Sequence, residues 1–206
     1  MDSFVVIAGN IGVGKTTLTE FLAKENGWTA FFEPHESNVF LADFYQDMTR
    51  WGFHSQVFFL SQRLKQHHAI SQVTGNVIQD RSIYEDAEIF ARNLADQGRL
   101  PEREYRTYND LYENIKAILS APDLIVYLRA DTEVLLNRIT KRGRSYEEGL
   151  SREYLEQLAN LYEDWASSFT LCPVLAIDIS ELDFVEDPNH AAKINKRVLS
   201  ALRKPS

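Results

Sequence analysis

The chain has 206 residues, of which 44% are hydrophobic and 25% charged, and its formal net charge is −8. This composition fits one globular domain with a sizeable core and argues against a disordered chain. No apolar run approaches the roughly 20 residues of a membrane helix, and an acidic chain lacks the basic face of a general nucleic-acid binder.

Taken in chain order, strands and helices alternate. Phe4–Ala8 is a β-branched and aromatic run that predicts a buried strand, followed by a glycine loop and a helix over Thr17–Lys24. Thr29–Phe32 is a second strand closed by Glu33-Pro34, and helices are expected over Val39–Arg50 and Phe53–Gln72. In the latter, Phe53, Val57, Leu60, Leu64 and Ile70 roughly fit one apolar helical face. Asn76–Gln79 predicts a short strand leading into Asp80-Arg81-Ser82, and Glu85–Ala95 a helix. A polar stretch, Asp96–Pro101, precedes another helix ending near Ser120. After Pro122 come a strand at Leu124–Leu128 and a helix at Asp131–Lys141 with a capping aspartate at its start. Arg142–Gly149 is a charged loop, and Ser151 reads as the N-cap of the next helix. Val174–Ile179 and His190–Leu202 predict the last strand and helix. The one cysteine, Cys172, excludes a disulfide framework and a cysteine-rich zinc site, and is expected to be a small core residue before the last strand. The opening MDSFVVIAGN has an acid where a signal peptide needs positive charge, so a cytoplasmic protein without a cleaved address is expected. The alternation favours a five-stranded parallel sheet with helices on both faces, formed by one domain over residues 1–206.

The loop Gly9-Asn10-Ile11-Gly12-Val13-Gly14-Lys15-Thr16 fits G-x-x-x-x-G-K-[ST] without a mismatch, between a strand and the helix that begins at Thr17. Glycines let the backbone turn its N–H groups toward phosphate oxygens, and the helix N-terminus adds partial positive charge. In such a P-loop, Lys15 reaches the β- and γ-phosphates of ATP and the Thr16 hydroxyl ligates Mg²⁺.

A P-loop predicts nucleotide binding without naming a reaction. Glu33 ends the second strand, where a carboxylate is either a solvated loop acid or a base for an acceptor hydroxyl. Asp80 is placed to hold Mg²⁺ directly or through water, and Arg81 to bridge Glu33 and the transferring phosphate; a structural Asp–Arg pair is the alternative. Arg138 and Arg142 share a helix face, with Arg144 just beyond Gly143. Three guanidiniums there suit an arginine-rich lid over the triphosphate, spanning about residues 138–149, more than a mere basic helix end. The many aromatic residues between Phe31 and Phe90 must mostly be core; with Gln56, Arg63 and Asp86 interleaved, a few suit the walls of a nucleobase pocket, although by spacing alone such polar residues on helices are usually solvated.

Six segments in order, GNIGVGKTTL, Glu33-Pro34, WGFHSQVFFLSQRLKQ, DRSIYEDAEIF, RGRSYEEGLSREYLEQL and IDISELDF, resemble the deoxyribonucleoside kinases, of the bacterial deoxyadenosine/deoxyguanosine kinase type. The resemblance runs over nearly the whole chain. It implies a P-loop kinase that phosphorylates the 5′-hydroxyl of a deoxyribonucleoside, a purine one, with ATP and Mg²⁺. It implies that Glu33 is the general base, steadied by Arg81. It further implies that Gln56 reads the base edge, that Arg63 and Asp86 complete the base pocket, and that Phe90 packs on the base. Tyr45 and Glu147 match the pair that holds the sugar 3′-hydroxyl, and Asp183-Phe184-Val185 the loop around the adenine of ATP. A homodimer is the family expectation.

Two positions depart from the family. Asp80 stands where Glu is common, one methylene shorter, so that a Mg²⁺ contact could run through water. His35-Glu36-Ser37-Asn38 lacks the tryptophan of the animal enzymes, which points toward the bacterial purine branch. The rival reading is a nucleoside monophosphate kinase, which would need a cationic acceptor site and no general base.

Overall fold

The computed structural model describes residues 2–32, 37–147, 149–180, 182, 184 and 187–203. Its centre is β1 (Phe4–Gly9), whose Val5, Val6, Ile7 and Ala8 are all inaccessible to solvent. An uninterrupted apolar run of this kind belongs to a strand covered on both faces. Around it, β2 (Thr29–Phe31), β3 (Val77–Asp80), β4 (Leu124–Arg129) and β5 (Val174–Asp178) complete a five-stranded sheet in the order β2-β3-β1-β4-β5. All four pairings are parallel. Register sets Ile7 beside Asp80 on one side and Gly9 beside Leu128 on the other. The carboxyl ends of β1 and β3 therefore open on the same edge, at the strand where the order of the sheet reverses, which is where α/β folds bind ligands.

The first helix, α1 (Lys15–Asn26), follows the glycine loop and buries Leu18 and Leu22 on the sheet. Full burial of a leucine contributes roughly 1.5–3 kcal/mol, so these two side chains fix the helix start against β1. The helix ends at Gly27 in the left-handed conformation. The expected pair Val39–Arg50 and Phe53–Gln72 is divided differently, into α2 (Leu41–Gln46) and α3 (Met48–Ile70). Asp47 breaks the chain between them at φ −144°, and its carboxylate accepts the Arg50 N–H as an N-cap. The buried face of α3 also differs from the apolar face read in the sequence. Its buried residues are Gly52, Ser55, Gln56, Leu60, Arg63, His67 and Ile70, whereas Phe53, Val57 and Leu64 are only partly buried. Polar residues face inward because this side of α3 is the wall of a cavity.

The helix expected over Glu85–Ala95 begins earlier, at α4 (Ile83–Glu85), and runs through a π-helical stretch at Asp86–Ala91 into α5 (Arg92–Asp96). Wide turns of this type are rare and tend to occur at functional sites. Then come α6 (Glu102–Lys116), α7 (Thr132–Arg142), α8 (Arg152–Ser168) and α9 (Pro188–Leu202). Ser151 caps α8 as expected, its hydroxyl accepting the Tyr154 N–H at 3.2 Å. Asp131 occupies the N-cap position of α7, but its side chain makes no capping hydrogen bond. Cys172 is half-buried before β5, packed against the core, and burial pushes its thiol up to about 11. Among the described residues, no helix is long and apolar enough to cross a membrane.

Candidate active site

The phosphate loop leaves β1 at Gly9 and enters α1 at Gly14, which holds φ +98° as the N-cap and offers no side-chain cap. A Cβ at Gly14 would lie 2.7 Å from Cζ of Phe184, and one at Gly12 (φ +81°) 2.8 Å from Ile139. Left-handed backbone and close packing thus both require glycine here. A helix N-terminus without a side-chain cap, following a glycine loop, is the arrangement that binds phosphate. Lys15 Nζ donates to the carbonyls of Gly9 (2.9 Å) and Asn10 (3.0 Å) across the loop. Asn10 secures the loop to α8 by donating to the Leu155 carbonyl at 2.9 Å, and its Oδ1 accepts the Ile11 N–H.

At the end of β3, Asp80 Oδ2 accepts the Thr16 hydroxyl at 2.6 Å. Asp80 Oδ1 is buried and has no hydrogen-bond partner among the described residues. An orphaned carboxylate oxygen beside the P-loop hydroxyl fits a divalent cation, since a buried acceptor without a donor is otherwise costly.

A cavity of about 630 Å³ opens from the phosphate loop toward α3 and α8. On the loop side it is lined by Gly12, Gly14, Lys15, Thr16, Thr17, Arg138, Lys141, Arg142 and Arg144. Arg138 donates to the carbonyls of Val13 (3.1 Å) and Leu182 (3.4 Å), and its guanidinium lies 5.8 Å from the ring of Phe184. Phe184 itself is buried against the loop. Arg142 and Arg144 both turn to Glu147, at 2.5 Å and 3.5 Å. Glu147 is only 5% exposed, so this carboxylate gathers the two arginines at the cavity mouth.

The far side is aromatic with a few buried polar groups. Phe44, Tyr45, Phe59, Phe90, Tyr146 and Tyr154 form its walls. Tyr45 stacks on Tyr146 with centroids 5.8 Å apart. Gln56 is 3% exposed, and its Oε1 has no partner among the described residues. Next to it Arg63 Nε donates to Asp86 Oδ2 at 2.8 Å, an ion pair with almost no solvent access. Arg63 is oriented further by Gln66 Oε1 (3.1 Å) and the Asp80 carbonyl (3.4 Å). Arg81 lies between the two halves, its guanidinium 4.4 Å from the Phe90 ring centroid.

The structure therefore brings Tyr45, Gln56, Arg81, Asp86, Phe90 and Glu147 to the same cavity as the phosphate loop and lid, with Arg63 behind Asp86. Glu33 and Asp183 lie outside the described residues, as does Val185. Sequence reasoning missed Lys141, Tyr146, Tyr154, Glu85 and Tyr162. Burial pushes the Tyr154 hydroxyl up to about 12, against the pull of Arg99 and Arg81, so it stays protonated. The Ser82-x-x-Glu85 spacing was a legible capping box; nothing in the sequence singled out Tyr162.

A phosphate loop, a lid of arginines and an aromatic chamber in one crevice define a P-loop phosphotransferase. Its sequence matches the model of the deoxynucleoside kinase family over residues 5–203, and the chain belongs to that family. It is 41% identical to the deoxyadenosine/deoxycytidine kinase of Bacillus subtilis, covering 98% of this chain and 94% of the relative. It is 38% identical to a deoxyadenosine kinase of Dictyostelium discoideum, covering 97% and 80%. Among solved structures, deoxyadenosine kinase from M. mycoides with the products dCMP and a flexible dCDP bound superposes with a TM-score of 0.85 at 32% identity, covering 96% of this chain and 99% of that one.

Proposed function

We propose that this enzyme transfers the γ-phosphoryl group of ATP to the 5′-hydroxyl of a purine deoxyribonucleoside, deoxyadenosine first. The observation that carries this is the buried amide of Gln56, open at Oε1, beside the Arg63–Asp86 pair in the cavity that the P-loop closes. Such a set reads a base edge by hydrogen bonds. Relatives named for deoxyadenosine support the choice of base, and those also named for deoxycytidine make that nucleoside the side substrate to test.

In this reading the whole chain, residues 1–206, works as one kinase domain with its lid at 138–149. Gly9, Asn10, Gly12, Val13, Gly14 and Thr17 shape the triphosphate cradle, and Arg138, Asp183 and Phe184 border the adenine side. The nucleoside lies against Phe90, its base edge on Gln56 and Asp86, and its 3′-hydroxyl between Tyr45 and Glu147. Glu33 takes the proton of the 5′-hydroxyl as it attacks the γ-phosphorus in line. Lys15, Arg81, Arg142 and Arg144 stabilise the charge that spreads over the transferring group, so that positioning and electrostatics supply most of the rate. Thr16 and Asp80 would hold Mg²⁺, which when bound neutralises phosphate charge. The protein is proposed to be cytoplasmic and to form a homodimer.

The test is ATP-dependent phosphorylation of deoxyadenosine, deoxyguanosine, deoxycytidine and thymidine side by side, with dAMP and dTMP as rival acceptors. Turnover of the purine deoxynucleosides is expected. Turnover of the monophosphates alone would remove Glu33 from the base role and make the protein a nucleotide kinase.

A further inference from the structure

One buried carboxylate has no part in the scheme above. Glu85 is inaccessible to solvent. Its Oε1 accepts the Gly9 N–H at 3.2 Å and the Tyr162 hydroxyl at 2.8 Å. Its Oε2 accepts the Ser82 N–H at 2.8 Å and the Ser82 hydroxyl at 3.2 Å. The Ser82 contacts are those of a capping box for α4. The other two are surplus to capping, and they reach the first glycine of the phosphate loop and the middle of α8.

Tyr162 carries the connection onward. Arg81 Nη1 donates to its oxygen at 3.1 Å and lies 4.0 Å from Glu85 Oε1. A chain of hydrogen bonds therefore runs from the Arg81 guanidinium through Tyr162 to Glu85 and back to the Gly9 amide. The Tyr162 ring is itself fixed, stacked on Tyr127 with centroids 5.5 Å apart and planes 7° off parallel. Burial and the Glu85 charge keep its hydroxyl well above the ordinary tyrosine range, hence protonated and able to donate.

Arg81 needs such support. At φ +64° it is the one non-glycine residue with positive φ among the described residues. That backbone is disfavoured for a side chain with a Cβ, and it persists where neighbours over-determine it. The Ser82 N–H is held by Glu85, directly after the strained residue, while Tyr162 and the Phe90 ring hold the guanidinium.

We propose that Glu85 and Tyr162 are positioning residues for phosphoryl transfer, which lock the Arg81 guanidinium and the start of the phosphate loop in one relative placement. The proposal rests on the kinase reading above. Its content is that the Tyr162 hydroxyl acts through Arg81 and not through fold stability.

The experiment is a double-mutant cycle in the full chain, using Tyr162→Phe, Arg81→Lys and the pair, with ATP and the nucleoside that the wild type turns over best. Phenylalanine keeps the stack on Tyr127 and leaves the capping box untouched. Tyr162→Phe is expected to lower kcat roughly tenfold, the scale of one hydrogen bond to a charged group, with KM for ATP and Tm close to wild type. In the Arg81→Lys background the same change should cost less than about twofold, because the group it orients is gone. A kcat within twofold of wild type for Tyr162→Phe, or an equal loss in both backgrounds, overturns the proposal. Should Tyr162→Phe lower Tm by many degrees, the same cycle is read with Glu85→Gln, where non-additivity with Arg81→Lys is again expected and additivity overturns. Absence of wild-type turnover on every nucleoside would overturn the kinase reading together with this proposal; normal wild-type turnover with additive losses sinks this proposal alone.

Discussion

Replacing Asp86 by alanine tests the base pocket and its energetics together. Asp86 and Arg63 are paired at 2.8 Å, with side-chain exposures of 4% and 0%. Removing the carboxylate leaves a buried guanidinium without its counter-charge, which typically costs about 3–5 kcal/mol. Arg63 would keep its contacts to Gln66 Oε1 and the Asp80 carbonyl, at 3.1 Å and 3.4 Å, so the lower end of that range applies. For a chain of this size, about 3 kcal/mol lowers Tm by roughly 6–12 °C. Asp86→Asn keeps an acceptor and should lose clearly less. Asp86 lines the cavity, so its loss changes the groups facing the base while the phosphate loop is untouched. Thermal unfolding followed by circular dichroism gives the first number. Relative kcat/KM for deoxyadenosine, deoxyguanosine and deoxycytidine, in competition, gives the second, and KM for ATP is expected to stay near wild type. A Tm within about 2 °C of wild type, less than about 1 kcal/mol for a chain of this size, and an unchanged order of nucleosides would refute both the buried-pair energetics and the pocket assignment.

Glu33→Gln should collapse turnover while ATP binding, measured by calorimetry, stays nearly intact; near wild-type turnover would remove Glu33 from the base role. Gly14→Ala must adopt φ +98° and push its Cβ toward Phe184. It should raise KM for ATP roughly 5- to 30-fold, since about 1–2 kcal/mol of left-handed strain falls on the cradle itself, and an unchanged KM would contradict the geometry. His67 is buried on α3, edge-on to Phe4 at 5.7 Å, and burial lowers its pKa in the folded state. Its stabilising share is therefore full above the unfolded value near 6.5 and is lost as pH falls through the lower folded value. Urea midpoints from pH 8 to pH 5 should fall less steeply in His67→Gln than in wild type, and parallel profiles would exclude His67 as a source of the acid sensitivity.

The frame of this fold was readable because buried parallel strands write themselves as short apolar runs. Phe4–Gly9 and Leu124–Arg129 are such runs, and the phosphate loop between strand and helix fixed the site's position. What was not readable depended on partners far along the chain. In α3 the apolar residues Phe53, Val57, Leu60, Leu64 and Ile70 suggested one inward face; Leu60 and Ile70 are buried, yet Phe53, Val57 and Leu64 are only partly so, and Gln56, Arg63 and His67 are buried instead. Periodicity reports where apolar side chains cluster; it cannot report that a helix turns polar residues inward to line a cavity. The π-helical stretch at Asp86–Ala91 left no local mark either, since DAEIFA is compatible with an ordinary helix. Glu85 read only as the first residue of a helix, because its partners Gly9 and Tyr162 lie 76 and 77 positions away in sequence.

The charge of the molecule is distributed with the same logic. A net −8 suggests a chain that repels triphosphates, but the cavity is lined by Lys15, Arg81, Arg138, Lys141, Arg142 and Arg144 against only Asp86 and Glu147 among the described residues. Both of those carboxylates are already matched to arginines, Asp86 to Arg63 and Glu147 to Arg142 and Arg144. Local field, not net charge, governs anion binding in a cleft with apolar walls. The pairing at Glu147 has a mechanical side. While it holds Arg142 and Arg144, they are gathered at the cavity mouth without being spent on protein carbonyls, as Arg138 is. In the proposed function, an arriving triphosphate would offer them more charge than one carboxylate, and the exchange would free Glu147 for the sugar. On that reading, lid closure and sugar recognition would be two results of one ion-pair exchange at Glu147.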